Sequence, residues 1–150
     1  MKFKFPTGQQ PTLPQMQKVL KEMDVYMYCG HGSSLRNLTY QDIEKLYIRS
    51  VPLLFGCNSG RLERMGRFFD PVGTVHYYMI ATAPCFLGFL WSVTDRDIDQ
   101  WTVRLIEYWL DKSGDQRELV QAIADKKSDL DRVINRSAVV VYGLPNLKSS

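Results

Sequence analysis

Val25-Tyr26-Met27-Tyr28-Cys29-Gly30-His31-Gly32 and Val51-Pro52-Leu53-Leu54-Phe55-Gly56-Cys57-Asn58-Ser59-Gly60 share one local plan. In each, a short apolar run stops at a glycine-containing turn, with His31 in the first turn and Cys57, 26 positions later, in the second. The run at 51–55 is apolar without alternation, the pattern of a strand covered on both faces and therefore of a parallel sheet. In open α/β sheets, ligands and chemistry gather just past the carboxyl ends of the strands. The two segments together predict a parallel α/β sheet with a His and a Cys on neighbouring strand-end turns.

Working outward, Pro6, Gly8, Pro11 and Pro14 mark residues 1–14 as a flexible connector that leads into a helix over 15–23, with Leu20 and Met23 inward. Between the two strands, a loop at 33–38 precedes Thr39-x-x-Asp42, a capping-box-like start for a helix running to Ile48, with Ile43, Leu46 and Tyr47 facing the core. Past Cys57 a helix start is expected, then a basic stretch at 61–68, a break at Asp70-Pro71-Val72-Gly73 and a helical piece over 75–82. A third strand over 86–93 runs into Thr94-x-x-Asp97 and an amphipathic helix whose apolar stripe is Ile98, Trp101, Leu105, Ile106 and Trp109. Gly114 closes that helix, another spans 117–133, and a last strand covers 138–142 before a tail at 146–150. Strands alternating with helices define an α/β class with a mostly parallel sheet.

A length of 150 residues with 45% hydrophobic content supports one domain and excludes two ordinary ones. The net charge of +3, without blocks of like charge, gives no reason to expect a direct nucleic-acid partner. Three cysteines, with no C-x-x-C spacing, fit neither a disulfide framework nor a zinc site and point to a reducing compartment, cytoplasm or nucleus. The longest apolar run, 83–91, falls short of the roughly 20 residues of a membrane span, so no membrane association is expected.

Cysteine attack on a carbonyl needs a thiolate, a proton for the leaving amine and donors for the oxyanion. Cys57 is the candidate nucleophile and His31 the candidate acid. The backbone N–H groups of Gly32 and Cys57 are candidate oxyanion donors, and a helix start after Cys57 would lower its pKa. Cys29 and Cys85, within apolar runs, read as inert core thiols, and His76 as a packed or surface residue. Asp95, Asp97 and Asp99 either complement the dipole of the long helix or hold a basic substrate group, ideally the planar fork of Arg. Trp91 could wall such a pocket or fill the core.

Three segments, Val-Tyr-Met-Tyr-Cys-Gly-His-Gly-Ser from residue 25, Leu-Leu-Phe-Gly-Cys-Asn-Ser-Gly from 53 and Gly-Phe-Leu-Trp-Ser-Val-Thr-Asp-Arg-Asp-Ile-Asp at 88–99, closely resemble the carboxyl-terminal protease domain of separases, and Tyr142-Gly143-Leu144-Pro145 resembles that family's ending. The resemblance covers 23–145. It implies a caspase-like three-layer α/β sandwich over 15–145 and a cysteine endopeptidase with His31 and Cys57 as its dyad. It further implies cleavage after Arg in acidic-x-x-Arg sites of the cohesin kleisin subunit, an acidic Arg pocket with Asp99 first and Asp95 second, inhibition by securin, action at chromosomes in mitosis, and no metal or organic cofactor. Phe89 and Ser92 depart from the Gly-Asn-Leu-Trp-Asp usual in the family's third strand. The first strands of a separase sheet precede the His strand, so the edge at 25–28 is expected to be covered by the rest of a longer chain or by a companion subunit. The competing readings are a non-catalytic module that binds securin-like or cohesin-like segments, and a flavodoxin-like ligand-binding domain, for which neither strand-end acidic clusters nor a phosphate loop is visible around the first strands.

Overall fold

The computed structural model describes residues 12–32, 39–111, 118–130 and 132–144. Its elements are α1 (Leu13–Glu22), β1 (Val25–Cys29), α2 (Tyr40–Glu44), β2 (Val51–Phe55), α3 (Thr74–Ile80), β3 (Cys85–Phe89), α4 (Asp95–Leu110), α5 (Leu119–Lys126) with a 3₁₀ turn (Lys127–Asp129), α6 (Val133–Ala138) and β4 (Val139–Gly143). The expected loop at 33–38, Gly114 and the tail at 146–150 lie outside the described residues, as does most of the connector at 1–14.

The strands form one sheet in the order β1-β2-β3-β4. β1 and β2 pair in parallel from Val25↔Val51 to Cys29↔Phe55, and β3 joins β2 in parallel. β4 is antiparallel to β3, with Phe89 opposite Val139 and Cys85 opposite Gly143. Its direction follows from the helices before it: α4 carries the chain away from the strand carboxyl ends, and the α5 to α6 segment carries it back. Asn135 Nδ2 of α6 donates to Asp97 Oδ2 in the first turn of α4 (2.8 Å), and Leu90 N–H donates to the Ala138 carbonyl (2.8 Å). β4 therefore starts beside the end of β3 and can only run back along it.

Each face of the sheet is covered. On one, Leu53, Phe55, Leu87 and Phe89 pack under α4 and α5 with Ile98, Trp101, Leu105 and Ile123. On the other, Tyr26, Leu54 and Phe86 pack under α1, α2 and α3 with Leu20, Ile43 and Tyr78. This double coverage is why β2 and β3 are buried along their whole length and show no alternation.

Several sequence-based expectations are corrected. α2 stops at Glu44 rather than Ile48, because the backbone beyond it bonds elsewhere: Ile48 N–H to Ala81 O, and Arg49 and Ser50 N–H to Leu20 O. Ile43, Leu46 and Ile48 are buried, but Tyr47 is 73% exposed. No helix follows Cys57; the chain makes a turn and an irregular excursion until α3. The single helix expected over 117–133 is broken, and its freed carbonyls are claimed by side chains: Trp101 Nε1 donates to Lys126 O (2.8 Å) and Arg136 Nε to Leu130 O (2.7 Å).

Candidate active site

The site is built where β1 and β2 end. Register sets Cys29 beside Phe55, so Gly30 and Gly56 lie at the same level as the chain leaves the sheet. There the two backbones touch: a Cβ on Gly56 would meet the Gly32 carbonyl oxygen, and would lie 2.8 Å from the Gly30 carbonyl oxygen. Only glycine allows this approach, and it sets the His31 segment directly against the turn that bears Cys57. Tyr28 steadies the first segment, its hydroxyl donating to the His31 carbonyl (2.9 Å). Gly32 has φ +70°, the left-handed region, and among the described residues nothing lies within 4 Å of where a Cβ would stand.

The Cys57 turn is pinned from beneath. Asn58 holds φ 60°, which Asn tolerates better than most residues. The fully buried Ser59 hydroxyl donates to Leu54 O (2.8 Å) and accepts from Phe89 N–H (3.1 Å), bridging the ends of β2 and β3. Gly60 N–H donates to Phe89 O (2.9 Å), and the Tyr142 hydroxyl donates to Gly60 O (3.0 Å), an apolar-crowded phenol whose pKa burial raises. The half-buried Cys57 thiol donates to the Val93 carbonyl (3.3 Å). No helix follows Cys57, so the expected helix start is not part of this turn.

A cavity of about 360 Å³ is lined by Cys29, Gly30, His31, Phe55, Asp95, Ile98 and Asp99. It joins the His31 segment to the first turn of α4, with Phe55 and Ile98 as its apolar floor. The acidic run is thereby divided. Asp95 and Asp99 face the cavity, whereas Asp97 is held by Asn135 and serves the packing of α6. Trp91 packs against the α4 side of the core and is not among the lining residues; its buried indole N–H has no partner among the described residues. Phe89 is also core, edge-on to Trp101.

Cys29 departs from the expected inert core thiol: it is solvent-accessible and lines the cavity beside His31. Partial burial, and then the Asp99 carboxylate, raise its pKa and keep it protonated. Cys85 is a core thiol, pushed by burial up to about 11. His76 has a structural task, its Nδ1 accepting from Gly73 N–H (3.1 Å) at the start of α3. The contributions of Tyr28, Ser59 and the Val93 carbonyl carry no sequence signal, since each depends on a contact set by the sheet.

These features define a caspase-like α/β domain with its cleft at the carboxyl ends of parallel strands. The chain belongs to the family described as separin, protease domain, whose model matches residues 1–98. It is 41% identical over 138 residues to separin of Mus musculus and 33% identical over 142 residues to separin of Schizosaccharomyces pombe. Those matches cover 92% and 91% of this chain but 6% and 8% of the relatives, so the chain spans less than a tenth of their length. A crystal structure of the Saccharomyces cerevisiae separase-securin complex superposes with a TM-score of 0.82 at 29% identity, covering 90% of this chain and 9% of that one.

Proposed function

We propose that this chain carries the catalytic dyad of a separase-type cysteine endopeptidase. The Cys57 sulfur attacks the substrate carbonyl carbon, and the C–S bond forms as the peptide C–N bond breaks. His31 takes the thiol proton and delivers it to the leaving nitrogen; water then hydrolyses the thioester. Gly32 and Cys57 N–H groups receive the oxyanion. Asp99, with Asp95, holds the guanidinium of an Arg on the acyl side of the scissile bond, and Phe55 and Ile98 receive its aliphatic stem. The raised pKa of Cys29 supports this division of labour, because the thiol that lines the cavity stays a poor nucleophile, leaving the attack to Cys57 on the neighbouring turn.

The observation that carries the reading is the cavity joining His31 to Asp95 and Asp99, beside the turn that bears Cys57. The natural substrate is an acidic-x-x-Arg segment of the cohesin kleisin subunit, cleaved in cytoplasm or nucleus at mitotic chromosomes. A securin-type inhibitor occupies the same cleft, a reading supported by the separase-securin complexes among the structural neighbours. The edge of β1, unpaired among the described residues, is covered by further sheet from a longer chain or a companion subunit.

The test is mass spectrometry after incubation with a thiol-reactive peptide ending in acidic-x-x-Arg, beside Cys57→Ala and Asp99→Asn. Labelling confined to proteins with Cys57, and weakened by Asp99→Asn, is expected. Labelling that persists in Cys57→Ala, or is absent in folded parent protein, overturns the assignment.

A further inference from the structure

Between Asn58 and α3 the chain makes an excursion closed at its base by two bonds, Glu63 N–H to Val72 O and Val72 N–H to Glu63 O, each 2.9 Å. Its tip reads Arg64-Met65-Gly66-Arg67-Phe68-Phe69. Met65 is 76%, Phe68 93% and Phe69 69% exposed, an unusual expenditure of large apolar side chains on water. Interleaved with them, Arg64 and Arg67 form no ion pair among the described residues. The loop is not loosely attached: Arg61 N–H donates to Asn58 O (3.1 Å), and Gly73 sits so close to the Arg61 carbonyl that no Cβ would fit. Both arms are thus anchored to the turn that carries Cys57.

We propose that this tip is a docking surface for an acidic segment of another protein, one that carries large apolar side chains between its carboxylates. The claim goes beyond the protease reading and does not depend on it. Charge selects the occupant. The tip has two cations and no anion, so a symmetric tip-to-tip contact between two copies would set like charges against each other. Insertion into an anionic bilayer would bring Glu63 and Asp70 at the base of the loop toward the headgroups. An acidic, apolar-studded polypeptide instead pairs the arginines while covering Met65, Phe68 and Phe69, the combination of aromatic and Arg anchors that dominates protein interfaces.

The experiment is fluorescence anisotropy with a fluorescein-labelled peptide alternating Glu with Leu and Phe, its Glu→Gln counterpart, and the chain beside R64E/R67E and F68S/F69S. The parent is expected to bind the Glu peptide about tenfold or more tightly than the Gln peptide, with affinity falling as salt rises. R64E/R67E should lose that binding and gain affinity for a version with Lys in place of Glu, which a merely misfolded variant cannot do. F68S/F69S should weaken binding about tenfold. Equal affinity for the Glu and Gln peptides, or variants that bind like the parent, overturns the proposal. So does sedimentation with phosphatidylserine vesicles, or dimerisation, without peptide binding. Labelling of Cys57 is read separately, so failure here and failure of the protease reading are distinguishable.

Discussion

Gly56→Ala and Gly32→Ala separate two reasons for a glycine at the same site. At Gly56 the new methyl would strike the Gly32 carbonyl oxygen and lie 2.8 Å from the Gly30 oxygen and 3.1 Å from the Gly32 carbonyl carbon. All three are backbone atoms, so nothing can rotate aside; the His31 segment must move off the Cys57 turn. Overpacking of this kind costs about 1–3 kcal/mol, and with backbone on both sides the upper end applies, a loss of roughly 6–12 °C in Tm at this chain length. A displacement near 1 Å between reacting groups costs about 10²-fold in rate. At Gly32 the methyl meets nothing among the described residues, and the left-handed φ of +70° opposes it, at about 1–2 kcal/mol. Thermal unfolding by circular dichroism, with the rate of peptidyl labelling at Cys57, reads both effects. Gly56→Ala should be the less stable variant and lose about two orders of magnitude in labelling, whereas Gly32→Ala should lose modest stability. If Gly56→Ala labels at the parent rate with an unchanged Tm, the close approach of the two turns is not what assembles the site.

Other consequences follow from single contacts. Ser59→Ala removes the bridge between Leu54 O and Phe89 N–H in a fully buried setting and should cost about 1–3 kcal/mol in denaturant unfolding. Thr82→Gly should stabilise by about 1 kcal/mol, because exposed, β-branched Thr82 is held at φ 69° after α3. In a Cys57→Ala background, Asp99→Asn should lower the Cys29 pKa and speed its alkylation by iodoacetamide at mildly alkaline pH; an unchanged pH-rate profile would show that burial alone sets that thiol. Thr39 hydrogen bonds hold the Asp42 pKa below its ordinary 3.8, so the cap's contribution is present above that value and lost as pH falls through the depressed pKa. The stability gap between the parent and Asp42→Asn should therefore close in acid.

What the residues announced, and what they did not, divides along a physical line. The runs at 51–55 and 25–28 and the Ile98 to Trp109 stripe are local patterns with one low-energy reading each, and they became β2, β1 and α4. The direction of β4 depends on how many helices intervene after α4, and the break at Lys127–Asp129 depends on Trp101 and Arg136 reaching carbonyls that a continuous helix would have kept. Tyr47 fits the helical period used to place it inward, but α2 ends before reaching it, so the period no longer applies. Cys29 looked like a core thiol because it ends an apolar run; the last residue of an edge strand, however, has a covered neighbour on one side only.

The three aspartates show why spacing alone could not sort the candidate site. Asp95, Asp97 and Asp99 alternate in sequence, but on a helix successive residues turn by about 100°, so Asp95 and Asp99 share a face and Asp97 does not. The shared face looks into the cavity with His31, while Asp97 turns to Asn135 and ties α6 to α4. One run of acid is thus split between the cavity wall and the packing of α6. A double substitution of Asp95 and Asp99 should leave unfolding nearly unchanged, since neither is buried, while weakening any Arg-directed labelling of Cys57. Asp97→Leu should do the reverse, stranding the buried Asn135 amide at about 1–3 kcal/mol and lowering Tm with little change in Arg preference. If Asp97→Leu instead removes the preference for Arg and the double variant does not, the cavity is not the Arg pocket and the acidic face has been assigned to the wrong side of α4.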